Sequence, residues 1–111
     1  MDAKLRIYEG CESDEPIKVF TCKRLTFNVG TKIEILGEKI AKLEKSKKGA
    51  TAEEVANIND EQLELTVETI QAIFPTFTRE DFNGLDPIEY QEFINEIGKA
   101  TAQVINRASK N

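Results

Sequence analysis

The acidic run from Asp81 to Glu92 has the length and several of the residue types of a calcium-binding loop. In that frame Asp81, Asn83, Ile88 and Glu92 fall at positions one, three, eight and twelve and fit. Position five is Leu85, whose side chain has no ligand oxygen, and position six is Asp86, where the sharp turn requires glycine. Pro87 follows it, and the glycine that is present, Gly84, comes two places early. Calcium chemistry is rejected on these grounds, and helix caps around a tight turn explain the same acids.

Other chemistry has little to build on. The chain has no His, which removes the commonest general base and the commonest metal ligand. The acid pairs Glu53/Glu54 and Glu80/Asp81 are sequence neighbours, so on a helix they point about 100° apart and do not converge on one substrate. Cys11 and Cys22 do not form a CxxC and have no His to complete a zinc set. They are placed so that they can bridge a hairpin, although two free thiols are the ordinary state of a cytosolic chain. Gly30 and Gly37 lie too far apart for a phosphate-cradling loop, and no Gly-Lys-Ser/Thr follows. Nothing pairs a nucleophile with a base. The sequence therefore offers no catalytic, metal-binding or cofactor-binding residue, and the expectation is a protein that is not an enzyme.

Charge narrows the partners. Fifteen Lys and Arg stand against twenty Asp and Glu, a net of −5, which excludes a general nucleic-acid footprint. The charge is uneven: residues 1–48 carry 11 basic and 8 acidic side chains, residues 49–111 carry 4 and 12. A solvated face is the ordinary reading of such runs, the Lys39–Lys48 segment with its interleaved Glu38 and Glu44 included. Opposite-sign halves also favour copies stacking head to tail. No apolar run approaches the ~20 residues that span a bilayer. The start, Met1-Asp2-Ala3-Lys4-Leu5, lacks a signal-peptide core, so secretion by that route is not expected.

The elements that must carry these residues are legible from periodicity. Lys4 to Tyr8 alternates with Leu5 and Ile7 on one face, and Ile17 to Thr21 alternates again, which predicts a hairpin across a loop holding Gly10, Ser13, Asp14 and Pro16. Lys23 to Phe27 reads as a third short extended piece. Val29, Ile33, Leu36, Ile40 and Leu43 then step by four and three, a helix stripe capped at Asn28 or Thr31 and stopped by Gly49. Thr51 and Glu54 form a capping-box pair before a second helix, expected to break near Asn57–Asp60. Its stripe is Leu63, Val67, Ile70, Phe74 and Phe77, with Pro75 ending it near Ile73 or Phe74. Thr78 and Asp81 cap a short turn closed by Gly84. Asp86 and Pro87 open a last helix, whose stripe is Tyr90, Ile94, Ile97, Thr101, Val104 and Ala108, widened by Phe93, Ala100 and Ile105. The predicted fold class is α+β, mainly α: an N-terminal β-hairpin followed by three main helices and one short helix. A chain of 111 residues holds this as a single domain, with residues 1–27 the hairpin region and 28–111 the helical region.

The order of elements, with the segments RLTFNVGTKIEILGEKIAKLEK and FPTFTREDFNGLDPIEYQEFINEI, resembles the tail assembly chaperones of long, non-contractile-tailed phages and prophages of Gram-positive bacteria. The family pattern after the second helix is an aromatic, Thr-x-[Asp/Glu]-[Asp/Glu], a glycine and a terminal helix. Phe77, Thr78, Glu80, Asp81, Gly84 and the Pro87–Ala108 helix match it here. The resemblance spans nearly the whole chain, and its motifs are caps and core positions.

The resemblance implies a non-enzymatic chaperone that binds the tape-measure protein, a very long and largely helical chain, and keeps it soluble until the tail tube forms around it. It implies residence in the bacterial host cytoplasm and absence from the mature virion. It also implies a longer form made by ribosomal frameshifting, a possible route to the tail-tube protein. Lys110-Asn111 can be encoded by AAA-AAC, a run on which ribosomes slip. Self-association is expected as well. On this reading the contact surface is apolar helix, with Leu36, Ile40, Leu43, Ile97, Val104 and Ile105 as leading candidates. The alternative reading is a small regulatory or adaptor module, of phage or host, that binds another protein.

Overall fold

A computed structural model describes the backbone of residues 1–110 and the side chains of residues 1–105. Ala108 and the Lys110-Asn111 pair fall outside the described side chains. Two strands, β1 (Ala3–Ile7) and β2 (Lys18–Cys22), precede α1 (Phe27–Ser46), α2 (Ala52–Ile73), the short α3 (Arg79–Phe82) and α4 (Pro87–Lys110). The chain is thus α+β and mainly α, with the hairpin, three long helices and one short helix that periodicity predicts.

The strands pair antiparallel, with Ala3 opposite Cys22, Leu5 opposite Phe20 and Ile7 opposite Lys18. Ala3, Leu5 and Ile7 are buried, so the period of two sends one whole face of β1 onto the helices. A lone two-stranded sheet is marginal in water, and this helical cover stabilises it. Each strand sits one residue from its expected span, because Tyr8 leaves the hairpin ladder. Its N–H donates instead to Gly84 O at 2.7 Å, beside a bridge between Ile7 and Leu85.

Three local expectations need correction. Residues 23–26 are not a third strand but a connector. The Thr26 hydroxyl accepts from Val29 N–H at 3.4 Å, so α1 starts at Phe27, ahead of the Asn28 or Thr31 cap. α2 does not break at Asn57–Asp60. Those residues are mostly weak helix formers, but none is Gly or Pro, and half-buried Val55, Ile58 and Leu63 anchor the helix before, within and after them.

The caps are otherwise where the sequence puts them. Gly49 adopts φ +79°, the left-handed conformation that stops a helix, and the Thr51/Glu54 box starts the next. Phe74 closes α2 directly ahead of Pro75. Thr78 and Asp81 exchange bonds of 3.0 and 3.1 Å. Asp86 Oδ1 accepts from Ile88 N–H and Glu89 N–H at 2.8 and 3.2 Å, opening α4.

Phe77, Phe93, Leu5, Ile7 and Ile70 are the largest fully buried side chains. Each contributes about 1.5–3 kcal/mol by leaving water. Phe20, Phe74, Phe77 and Phe93 form a chain of tilted and edge contacts with centroids 5.2–5.8 Å apart, joining β2 to α2 and α4. The molecule measures 47 × 41 × 21 Å. Its thickness is only about two helix diameters, which leaves each long helix with a broad face outside the core.

Candidate functional site

Two grooves lie along the helices. The first, about 300 Å³, runs between α1, α2 and α4. Ile33 and Ile40 come from α1, Ile70 and Ile73 from α2, and Phe93, Ile94 and Ile97 from α4. Its polar residues are nearly silent. The Thr66 and Thr69 hydroxyls donate back to Gln62 O and Leu65 O at 2.8 and 2.7 Å, so those donors are already used within α2. Tyr90, also in the lining, has its phenol pKa raised by burial. Gly37 and Gly98 complete the wall, and a Cβ added at either would meet nothing within 4 Å. The groove can receive apolar side chains and offers almost no directed hydrogen bond to anything polar.

The second groove, about 560 Å³, lies between α1 and α2. Lys39, Lys42, Leu43 and Ser46 form one wall, and Glu61, Glu64, Leu65 and Glu68 the other. Gln62 crosses between the helices, donating to Ile40 O at 3.2 Å and to Glu44 at 2.9 Å, which sets the helix levels. Lys47 and Gln62 together hold the Glu44 carboxyl below its usual range.

The acids considered for calcium have other work. Asp81 is 6% exposed and receives Lys18 Nζ at 2.9 Å. Burial pushes its carboxyl up, but Lys18 and the Thr78 N–H and hydroxyl outweigh that and hold it below the usual range. Asp86 is spent on capping α4. Tyr8 OH donates to both oxygens of Glu89, at 2.9 and 2.8 Å, and Arg6 lies 3.7 Å from the same carboxylate, fastening β1 to α4. That hydrogen bond to Glu89, with burial, raises the Tyr8 pKa. Among the described residues no group of three His, Cys, Asp or Glu is placed to hold a metal ion. Both thiols are free, Cys11 exposed and Cys22 buried.

The six apolar contact candidates separate. Ile40 lines the three-helix groove and Leu43 the α1–α2 groove. Ile97, at 3% exposed, is floor rather than rim of the three-helix groove. Leu36, also 3% exposed, lies inside the packing and offers no surface to a partner. Val104 is half-buried against the start of α1, where a Cβ on Gly30 would come within 3.0 Å of it. Ile105 is half-buried and belongs to neither groove lining. Periodicity finds the stripe on each helix but not which edge of it another helix covers. The residues it missed, Gly37, Thr66, Thr69 and Gly98, are small or polar, so an apolar count passes over them. Their signal is position, since they share helix faces with Ile33, Ile40, Ile73 and Ile94.

No family model, curated protein or solved structure matches this chain. Among the described residues no helix is long and apolar enough to cross a membrane.

Proposed function

We propose that this protein is a non-enzymatic tail assembly chaperone of a phage or prophage, which binds the tape-measure protein in the bacterial cytoplasm, keeps it from aggregating and associates with further copies of itself. The supporting observation is the groove between α1, α2 and α4, apolar along its length and lined by two glycines with open space above them. A tape-measure chain awaiting its tube is a long helix with apolar faces, and exposed apolar surface of that extent aggregates. Side chains from one helix face, spaced by three and four residues, fit a groove between helices, which is a recurring mode of helix recognition. The net charge of −5 on each copy makes one coated tape-measure chain repel another, which keeps the coated chains in solution.

Co-expression with a helical tape-measure fragment tests the reading. The fragment is expected in the supernatant with the chaperone present and in the pellet without it. Gly98→Leu places a side chain in the groove at a position where nothing lies within 4 Å of the added Cβ, and is expected to abolish the rescue while the protein stays folded. A fragment no more soluble with the wild-type protein than alone ends the proposal.

A further inference from the structure

We infer that the outer α1–α2 face is a docking surface for a second copy of this chain, related to the first by a two-fold axis running along the helices. The inference deepens the self-association part of the reading above and rests on it alone, independent of what fills the three-helix groove.

Charge complementarity identifies the occupant. One wall of the face is basic, Lys39 and Lys42, and the other acidic, Glu61, Glu64 and Glu68. All five side chains are exposed. Among the described residues, Lys39, Lys42, Glu61 and Glu68 enter no ion pair, and Glu64 only reaches Arg79 at 4.0 Å. The walls stand level with each other, because Gln62 of α2 bonds to Ile40 O and Glu44 of α1. A face split in this way attracts neither a polyanion nor an anionic lipid surface as a whole. It does match itself.

The direction of the axis follows from the same split. A two-fold axis parallel to the helices lays α1 of one copy over α2 of the other and keeps every residue at its own level. Lys39 and Lys42 then oppose Glu61, Glu64 and Glu68 of the second copy, twice over. An axis across the helices lays α1 on α1 and sets lysine against lysine, so it is disfavoured. Between the walls, Leu43 and Leu65 form an apolar floor, half-buried in the single chain. Ile35, 50% exposed, continues the α1 side at four residues before Lys39 and seven before Lys42. Two helices of 20 and 22 residues present a face about 30 Å long and about 20 Å wide. That is roughly 600 Å² per copy, and doubled it reaches the lower end of stable specific interfaces.

Charge swapping in the full chain, read by sedimentation and light scattering, tests this. The wild-type protein is expected to dimerise. Lys39→Glu with Lys42→Glu makes the face wholly acidic, and Glu61→Lys with Glu68→Lys makes it almost wholly basic. Each double variant alone is expected to dimerise at least tenfold more weakly, with its helical circular dichroism unchanged. An equal mixture of the two is expected to recover the dimer mass, because acidic face then meets basic face at both walls. The recovered dimer is expected to weaken from 0.1 to 1 M salt, as the screening length falls from about 10 to about 3 Å. A wild-type chain that stays monomeric at high concentration overturns the inference, as do variants that dimerise like wild type or a mixture that does not recover. None of these results touches the tape-measure assay, so failure of one reading is separable from failure of the other.

Discussion

Gly84 is where two stretches of backbone come closest, and replacing it with alanine measures how tightly the hairpin is fastened to the helices. A Cβ at this position would sit 2.5 Å from Tyr8 O, 2.7 Å from Ile7 Cγ2 and 3.3 Å from Tyr8 N. The nearest atom is backbone, so it cannot swing away as a side chain would. To restore ordinary contact at 3.4 Å the two segments must part by about 0.9 Å. That separation weakens the 2.7 Å bond from Tyr8 N–H to Gly84 O and the Ile7–Leu85 bridge beside it. Overpacking of this kind costs about 1–3 kcal/mol, and a lost hydrogen bond about 1 kcal/mol. Restricting the unfolded chain returns about 0.4–1 kcal/mol. The net loss is about 2 kcal/mol, or about 10 °C in Tm for a chain of this size. Gly37→Ala is the control: its Cβ meets nothing within 4 Å, and Ala in a helix interior gains about 0.5–1 kcal/mol. Urea unfolding followed by circular dichroism should move the two midpoints in opposite directions. A Gly84→Ala midpoint at or above wild type would refute the close approach on which the argument rests.

Asp81 is held below the usual carboxylate range, so its contribution is fully present above the unfolded value of about 4 and is lost as pH falls through the folded value. Asp81→Asn should therefore lower the urea midpoint at pH 7, with the gap to wild type narrowing below about pH 4; a constant gap would contradict the Lys18 pairing. Cys11 is exposed, whereas Cys22 is 6% exposed, its thiol pushed up by burial and donating to Arg24 O at 3.3 Å. A thiol reagent should accordingly label one cysteine per folded chain promptly, and the second only in denaturant. Phe77 is 1% exposed and touches Phe20 edge-on, so Phe77→Ala should cost about 3–5 kcal/mol, seen as a large drop in Tm.

Capping chemistry was the most legible part of the fold, because it is local. Thr51 with Glu54, Thr78 with Asp81, and Asp86 ahead of Pro87 each satisfy helix N–H groups within three residues, so no distant part of the chain can overrule them. The start of α1 was misplaced for a related reason. Asn28, Thr31 and Thr26 all have capping side chains, and only the path of the chain out of β2 selects Thr26. The grooves were less legible still. Ile40 and Leu36 read alike on one stripe, yet one lines a groove and the other is closed over by packing. That difference depends on where α2 and α4 cross α1, which spacing within α1 does not encode. The Lys39–Lys42 wall read as a solvated face, since its acidic counterpart lies about twenty residues further along the chain on another helix.

The two grooves use opposite sides of the same helices, and this decides whether one protein can do both proposed things at once. At about 100° per residue, Ile33, Gly37 and Ile40 lie roughly 160° around α1 from the line through Ile35, Lys39 and Lys42. On α2, Thr66, Thr69, Ile70 and Ile73 likewise lie roughly 160° from the line of Glu61, Glu64 and Glu68. A second copy on the charged face therefore leaves the apolar groove of each copy open and pointing outward. A pair so arranged offers two helix-binding grooves on opposite flanks, and engaging the second after the first is an intramolecular step with a raised effective concentration. On this geometry the charge-swapped monomers should still bind a tape-measure helix, but with the affinity of a single groove.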